Sequence, residues 1–223
     1  MPDTLNLNAP ATAAQAPSRV KADTATIEHY TRRRPEKHRA EMQLVSRAFP
    51  ALPPEARVLD APCGAGRLTL WAARQGWKVS ALDLGKAAVD HTREVLEQAG
   101  KPARVQEGDV FNLPWESRYF DAVICFRLLH HFAERAERRE LVREMARVSR
   151  GYVLVSYLAP WSYTGLKRRL RAAVGGHRHR QNHTPLSELV ADMEAEGFRL
   201  DRDVAQRRFF HSLHLARFVR QRS

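Results

Sequence analysis

The sequence predicts a doubly wound α/β domain on a mostly parallel sheet, closed by an antiparallel strand at its C-terminal edge. Three observations carry that prediction. From Arg57 onward, short apolar runs alternate with segments of helical period, the pattern of βαβ units. One run, FDAVICF at residues 120–126, is apolar almost without a break, as a parallel strand covered on both faces requires. The first run ends in a small-residue turn, Cys63-Gly64-Ala65-Gly66, and an amphipathic stretch follows it directly.

The elements can be placed in order. Residues 1–24 are rich in Ala, Pro, Thr and Asn with few large apolar side chains, and are expected to be a disordered tail ahead of a single domain over 25–223. Residues 25–50 carry a helical pattern (Ile27, Tyr30, Met42, Leu44, Val45), interrupted by Pro35 after Arg32–Arg34, and form a cover helix. The first strand is 57–60. A helix over 66–75 stops at Gly76, where a C-terminal glycine is favoured. Strands are expected at 78–82, ending on Asp83, at 103–106 and at 120–126. The helix at 86–99 presents Ala88, Val95, Leu96 and Ala99, and the one at 134–149 presents Leu141, Val142, Met145 and Val148. A fifth strand covers 151–157. Thr184 and Pro185 open a further helix as N-cap and first helical residue, burying Leu186, Leu189, Val190 and Met193. Strands near 198–204 and 207–219 close the sheet as a hairpin.

Composition limits the function classes. The 223 residues are 43% hydrophobic and 28% charged, as in an ordinary globular protein. The net charge of +12 favours an anionic partner. Two cysteines, Cys63 and Cys125, argue against a disulfide framework and for a reducing compartment. The absence of a signal-like leader or a run of roughly 18 apolar residues leads to the expectation of a cytoplasmic location.

The glycine turn puts backbone N–H groups and a helix N-terminus at the carboxyl edge of the sheet, where a carboxylate or phosphate can be received. Gly64 and Gly66 remove side chains so that a ligand can reach the backbone. Asp83 ends the second strand, placed to accept hydrogen bonds from ribose hydroxyls. The ligand these residues imply is a nucleoside with a charged tail. The third glycine of a dinucleotide fingerprint is missing, since Thr69 stands at its position.

Four stretches taken together say more: LDAPCGAG (59–66), ALDLG (81–85), EGDVFNLPW (107–115) and FDAVICFRLLHHF (120–132). In order and at this spacing the chain resembles the class I S-adenosylmethionine-dependent methyltransferases, with their Rossmann-like sheet, in the small-molecule branch typified by ubiquinone biosynthesis. The resemblance covers roughly residues 25–220. It implies S-adenosylmethionine as cofactor and no metal. The turn from Ala61 to Gly66, flanked by Asp60 and Arg67, would hold the methionine part. Asp83 would bind the ribose with Leu84 beside the adenine, Asp109 would accept from the adenine amino group with Val110 on the ring, and Phe126 would line the reaction side. Pro62 departs from the family's usual glycine and withdraws one backbone donor.

Beyond strand four, His130 and His131 stand where an acceptor would sit, and an imidazole suits proton removal from a hydroxyl or thiol. The more usual role for such a pair is packing or capping. Residues 158–183 form a basic insertion without one acidic residue, beside the predicted active edge. Arg168, Arg169 and Arg171 within it, with Trp161 and with Tyr30 on the cover helix, are the substrate-side candidates. The expected reaction is methyl transfer to an anionic small-molecule or lipid-linked acceptor. Two other readings stay open: an RNA or protein methyltransferase using the basic surface, and a non-catalytic nucleoside-binding protein. Oligomeric state is not legible in the sequence.

Overall fold

A computed structural model describes residues 35–160, 182–206 and 212–221. The elements are α1 (Pro35–Ala48), β1 (Arg57–Asp60), α2 (Arg67–Arg74), β2 (Lys78–Asp83), α3 (Lys86–Gln98), β3 (Arg104–Glu107), β4 (Phe120–Cys125), α4 (Arg135–Val148), β5 (Ser149–Leu158), α5 (Leu186–Ala195), β6 (Phe198–Ala205) and β7 (Leu213–Arg220). They form one seven-stranded sheet in the order β3-β2-β1-β4-β5-β7-β6. The first five strands are mutually parallel, and β7 runs antiparallel between β5 and β6. The expected closing hairpin is present, and its reversed strand lies one place inside the edge. It does so because β7 (Leu213, Leu215, Ala216, Phe218) carries the apolar side chains and β6 alternates with charge.

Strand period sorts the core into two faces. Val58, Ala122, Ile124 and Leu154 pack under α1 and α2 on one side. Leu59, Val123, Val153 and Val155 pack under α4 and α5 on the other. Each of these side chains is buried, which is worth about 1.5–3 kcal/mol for a residue the size of Val or Leu. All four residues expected inward on α4 are buried. On α3 the inward stripe is Ala88, Val89, Thr92 and Leu96, with Val95 and Ala99 only partly covered.

Pro35 is the first residue of α1, where a missing N–H and a fixed φ are tolerated, and residues 25–34 of the expected cover helix lie outside the described residues. One helix start differs from expectation. Pro185 itself caps α5 in an extended conformation (φ −62°, ψ 139°), so Thr184 lies outside the helix. Thr184 is buried because its N–H donates to the Leu158 carbonyl, which ties α5 to the end of β5.

Candidate active site

The strand order reverses between β1 and β4, and the loops leaving the carboxyl ends of β1, β2, β3 and β4 diverge around one open cavity of about 1100 Å³, mouth included. One half is acidic. Asp60, Asp83 and Asp109 line it at the ends of β1, β2 and β3, together with Gly64, Leu84 and Val110.

Asp83 organises this half through the backbone. Its Oδ2 accepts from the Gly64 N–H and its Oδ1 from the Gly85 N–H, both at 2.9 Å. One carboxylate therefore joins the turn after β1 to the turn after β2. Burial pushes its pKa up, against the pull of the Gly85 and Gly64 donors. The two glycines of the turn have different reasons. At Gly64 (φ +53°) a Cβ would meet nothing within 4 Å, so its bare face opens onto the cavity. At Gly66 (φ +70°) a Cβ would lie 2.9 Å from Thr92 Oγ1 and 3.0 Å from Thr92 Cα. Gly66 is thus required by the packing of α2 on α3, and it does not line the cavity. Ala61 is likewise buried beneath the turn, its N–H on the Ile124 carbonyl, and it precedes a cis bond to Pro62.

Asp60 is buried and accepts from Thr69 Oγ1 at 2.6 Å. Burial, opposed by that bond and reinforced by the charge of Asp83, pushes its pKa up to about 7. Asp109 Oδ1 accepts from the Phe111 N–H at 3.0 Å, shaping the turn that presents Val110. The loop beyond is clamped from α4: Glu144 accepts from the Leu113 N–H, and Arg147 donates to the Leu113 and Trp115 carbonyls. Trp115 consequently packs edge-on to Phe120 in the core, outside the cavity lining. Cys63 and Cys125 are buried, and desolvation raises both thiols far from reactivity.

The other half is apolar and basic. Phe126, Leu128 and Phe132 follow β4, Phe111 meets Phe132 edge-on at 5.2 Å, and Met42 contributes from α1. His131 opens onto the cavity and solvent. Desolvation by the surrounding walls, then the Arg127 charge, lowers its pKa. His130 is its opposite: buried, its ring 4.3 Å from that of His131, and outside the cavity lining. The Asn182 backbone N–H donates to the His130 carbonyl, and Arg138 donates to the Phe132 and Ala133 carbonyls, so both flanks of the turn are pinned.

Arg67 lines the cavity at the start of α2, as does Arg127 after β4, and both reach Glu41 on α1. Glu41, Met42 and Arg127 were not among the expected site residues. A signal for Glu41 exists: it lies three, four and seven residues before Leu44, Val45 and Ala48, on the buried stripe of α1. Tyr30, Trp161, Arg168, Arg169 and Arg171 lie outside the described residues.

Residues 58–151 match the family model described as a methyltransferase domain. That stretch runs from β1 into β5 and contains Asp60, Gly64, Asp83, Asp109 and His131. Residues 58–151 are a class I S-adenosylmethionine-dependent methyltransferase domain. The chain is 34% identical over 83 residues to the ubiquinone biosynthesis O-methyltransferase of Yersinia enterocolitica, 37% of this chain and 34% of that protein. It is 39% identical over 56 residues to ribosomal RNA small subunit methyltransferase C of Alcanivorax borkumensis, 25% of this chain and 17% of that protein. Among solved structures, magnesium protoporphyrin IX methyltransferase from Synechocystis with bound SAH has the same fold, with a TM-score of 0.67 and 18% identity, covering 88% of this chain and 83% of that one. The chain spans about half or less of the length of the first curated relatives it matches.

The cofactor of the methyltransferase domain is S-adenosylmethionine, and the residues present suit it. An acidic wall would face a ligand with two cationic centres, Gly64 leaves its Cβ direction open, and the Asp83 carboxylate lines the cavity beside its backbone donors. No helix among the described residues is long and apolar enough to cross a membrane.

Proposed function

We propose that the chain transfers a methyl group from S-adenosylmethionine to an anionic acceptor, a small molecule or a lipid-linked one. The observation that carries this reading is the polarity of one cavity. Its three carboxylates suit a cationic nucleoside cofactor, and its aromatic wall with Arg127 suits an apolar acceptor bearing negative charge. The net charge of +12 supports the same sign of partner.

The cofactor, when bound, supplies a methyl group activated on a sulfonium. The protein's contribution is placement. Asp83 would hold the ribose, Asp109 and Val110 the adenine, and Asp60 and Arg67 the amino-acid end. Holding two reactants in line is worth about 7–11 kcal/mol in well-oriented model systems. An acceptor hydroxyl or thiol must lose a proton, and His131, on the cavity lining, would take it on an imidazole nitrogen. With its pKa lowered, that ring is neutral at pH 7 and ready to accept.

A labelled-methyl assay against lipid, small-metabolite, protein and RNA fractions tests the reading. Label in the lipid or small-molecule fraction is expected, and His131→Gln should lower kcat with cofactor affinity unchanged. Label in RNA alone would replace this acceptor by the second reading, which the ribosomal RNA relative and the basic 158–183 segment favour. Failure to bind S-adenosylmethionine by calorimetry would overturn both.

A further inference from the structure

Three charged side chains on the cavity wall are tied together across the fold. Glu41 sits on the inward face of α1 and is 1% exposed. Arg67, on the glycine-turn side, donates from Nη2 to Glu41 Oε2 at 3.3 Å. Arg127, on the far side after β4, donates from Nη1 to Glu41 Oε1 at 3.0 Å. Each oxygen of one buried carboxylate therefore takes an arginine from a different half of the cavity. Arg67 also donates to Nδ1 of His38, one turn earlier on α1, whose pKa is lowered by burial and then by Arg67.

Packing alone does not account for this carboxylate. Leu44, Val45 and Ala48 fill the rest of the same stripe, and an apolar residue in place of a buried ion pair is often no less stable. Arg127 carries further costs. Its backbone is left-handed (φ +62°), held by its N–H on Ser156 Oγ at 2.5 Å, and its Nε is buried with no hydrogen-bond partner among the described residues. Costs concentrated at one cavity-lining group point to use of that group.

We propose that Glu41 is a positioning residue for both halves of the cavity: its carboxylate aims Arg67 at the cofactor end and Arg127 at the acceptor end, so that α1 couples the two binding events. Only the naming of the two ends rests on the methyl-transfer reading. Two guanidiniums reach this one carboxylate. Their excess over it suits a carboxylate or phosphate oxygen on what binds. Removing the charge of Glu41 would leave two cations facing one space, a stronger and less selective anion site.

Glu41→Gln in the full chain tests this. The amide keeps one accepting oxygen and turns an NH2 toward the second guanidinium, donor against donor, so one arginine is released. Calorimetry with S-adenosylhomocysteine should show affinity falling roughly tenfold. Inorganic phosphate at millimolar concentration should bind Glu41→Gln roughly tenfold or more tighter than the wild type, and that gain should vanish in Glu41→Gln/Arg127→Met. A helix that merely lost an anchor would gain no phosphate site. Unchanged nucleoside affinity with no gain in phosphate binding would overturn the proposal.

Should Glu41→Gln fail to fold, a cycle of Arg67→Met and Arg127→Met decides. Coupling through a shared carboxylate predicts cofactor affinities that depart from additivity by threefold or more, and additive losses would overturn the proposal. A wild type that binds no S-adenosylhomocysteine would fail the methyl-transfer reading, and the phosphate comparison would still judge Glu41.

Discussion

The acidic and the basic halves of the cavity are built by different kinds of contact. In the acidic half Asp83, Asp109 and Asp60 bond to groups within the strand–turn–helix units that carry them or to the adjoining one: Gly85, Gly64, Phe111, Thr69. In the basic half the decisive contacts run side chain to side chain between distant segments, Arg127 to Glu41 and through it to Arg67 on the glycine-turn side, and backbone to distant backbone, Asn182 to His130. The difference teaches where each half is vulnerable. The first fails when a turn loses its backbone geometry, and the second when the packing of α1 or the order of the 182 region changes.

The largest effect expected in the acidic half is on folding. Gly66→Ala combines a left-handed φ with a Cβ pressed onto the Thr92 backbone, and should cost about 2–4 kcal/mol of stability in denaturant titration. Gly64→Ala shares the φ penalty but meets open space, so about 1 kcal/mol is expected, with a further loss of cofactor affinity as the methyl enters the cavity. Equal losses at the two positions would erase the distinction drawn between them.

Next in size is Asp83→Asn. The amide keeps one acceptor and sets an NH2 against a backbone N–H, so the turn after β1 or the turn after β2 is released along with the proposed ribose contacts. Cofactor affinity should fall roughly 100-fold or more, with hydrogen bonds to a charged group taken at about 1.5–3 kcal/mol each. Wild-type affinity by calorimetry would remove Asp83 from the site.

A smaller effect, and a diagnostic one, concerns pH. Asp60 has a folded pKa of about 7 against an ordinary 3.8, so between those values the folded state holds more protons than the unfolded one. Its contribution to stability therefore falls as pH rises from about 4 to about 7, by an amount on the order of 2–4 kcal/mol. Asp83, shifted the same way, adds to the trend. Asp60→Asn should flatten the slope in chemical denaturation without ligand, and an unchanged slope would mean that Asp60 is ionised throughout. In the basic half the least change is expected from His130→Gln, whose ring lies outside the cavity lining; a kcat loss as large as that of His131→Gln would merge the two histidines into one function.

Period and punctuation made most of the fold legible in the sequence. The five parallel strands, the helices between them and the glycine turn are each written in residues near one another in the chain, because strand alternation, helical stripes and turn conformations are local properties. The same locality made Asp83 and Asp109 readable as strand-end acids. Three things were not local. Which glycine faces a ligand and which faces Thr92 depends on how α3 lies against α2. Which of two adjacent histidines opens to the cavity depends on a turn held by Arg138 and Asn182. That Glu41 belongs to the site at all depends on α1 crossing the sheet edge to meet arginines that follow β1 and β4. A charged residue on an apolar stripe announces a buried partner, but only the packed structure selects which one, because the partners come from elements that have no fixed distance until the sheet has formed.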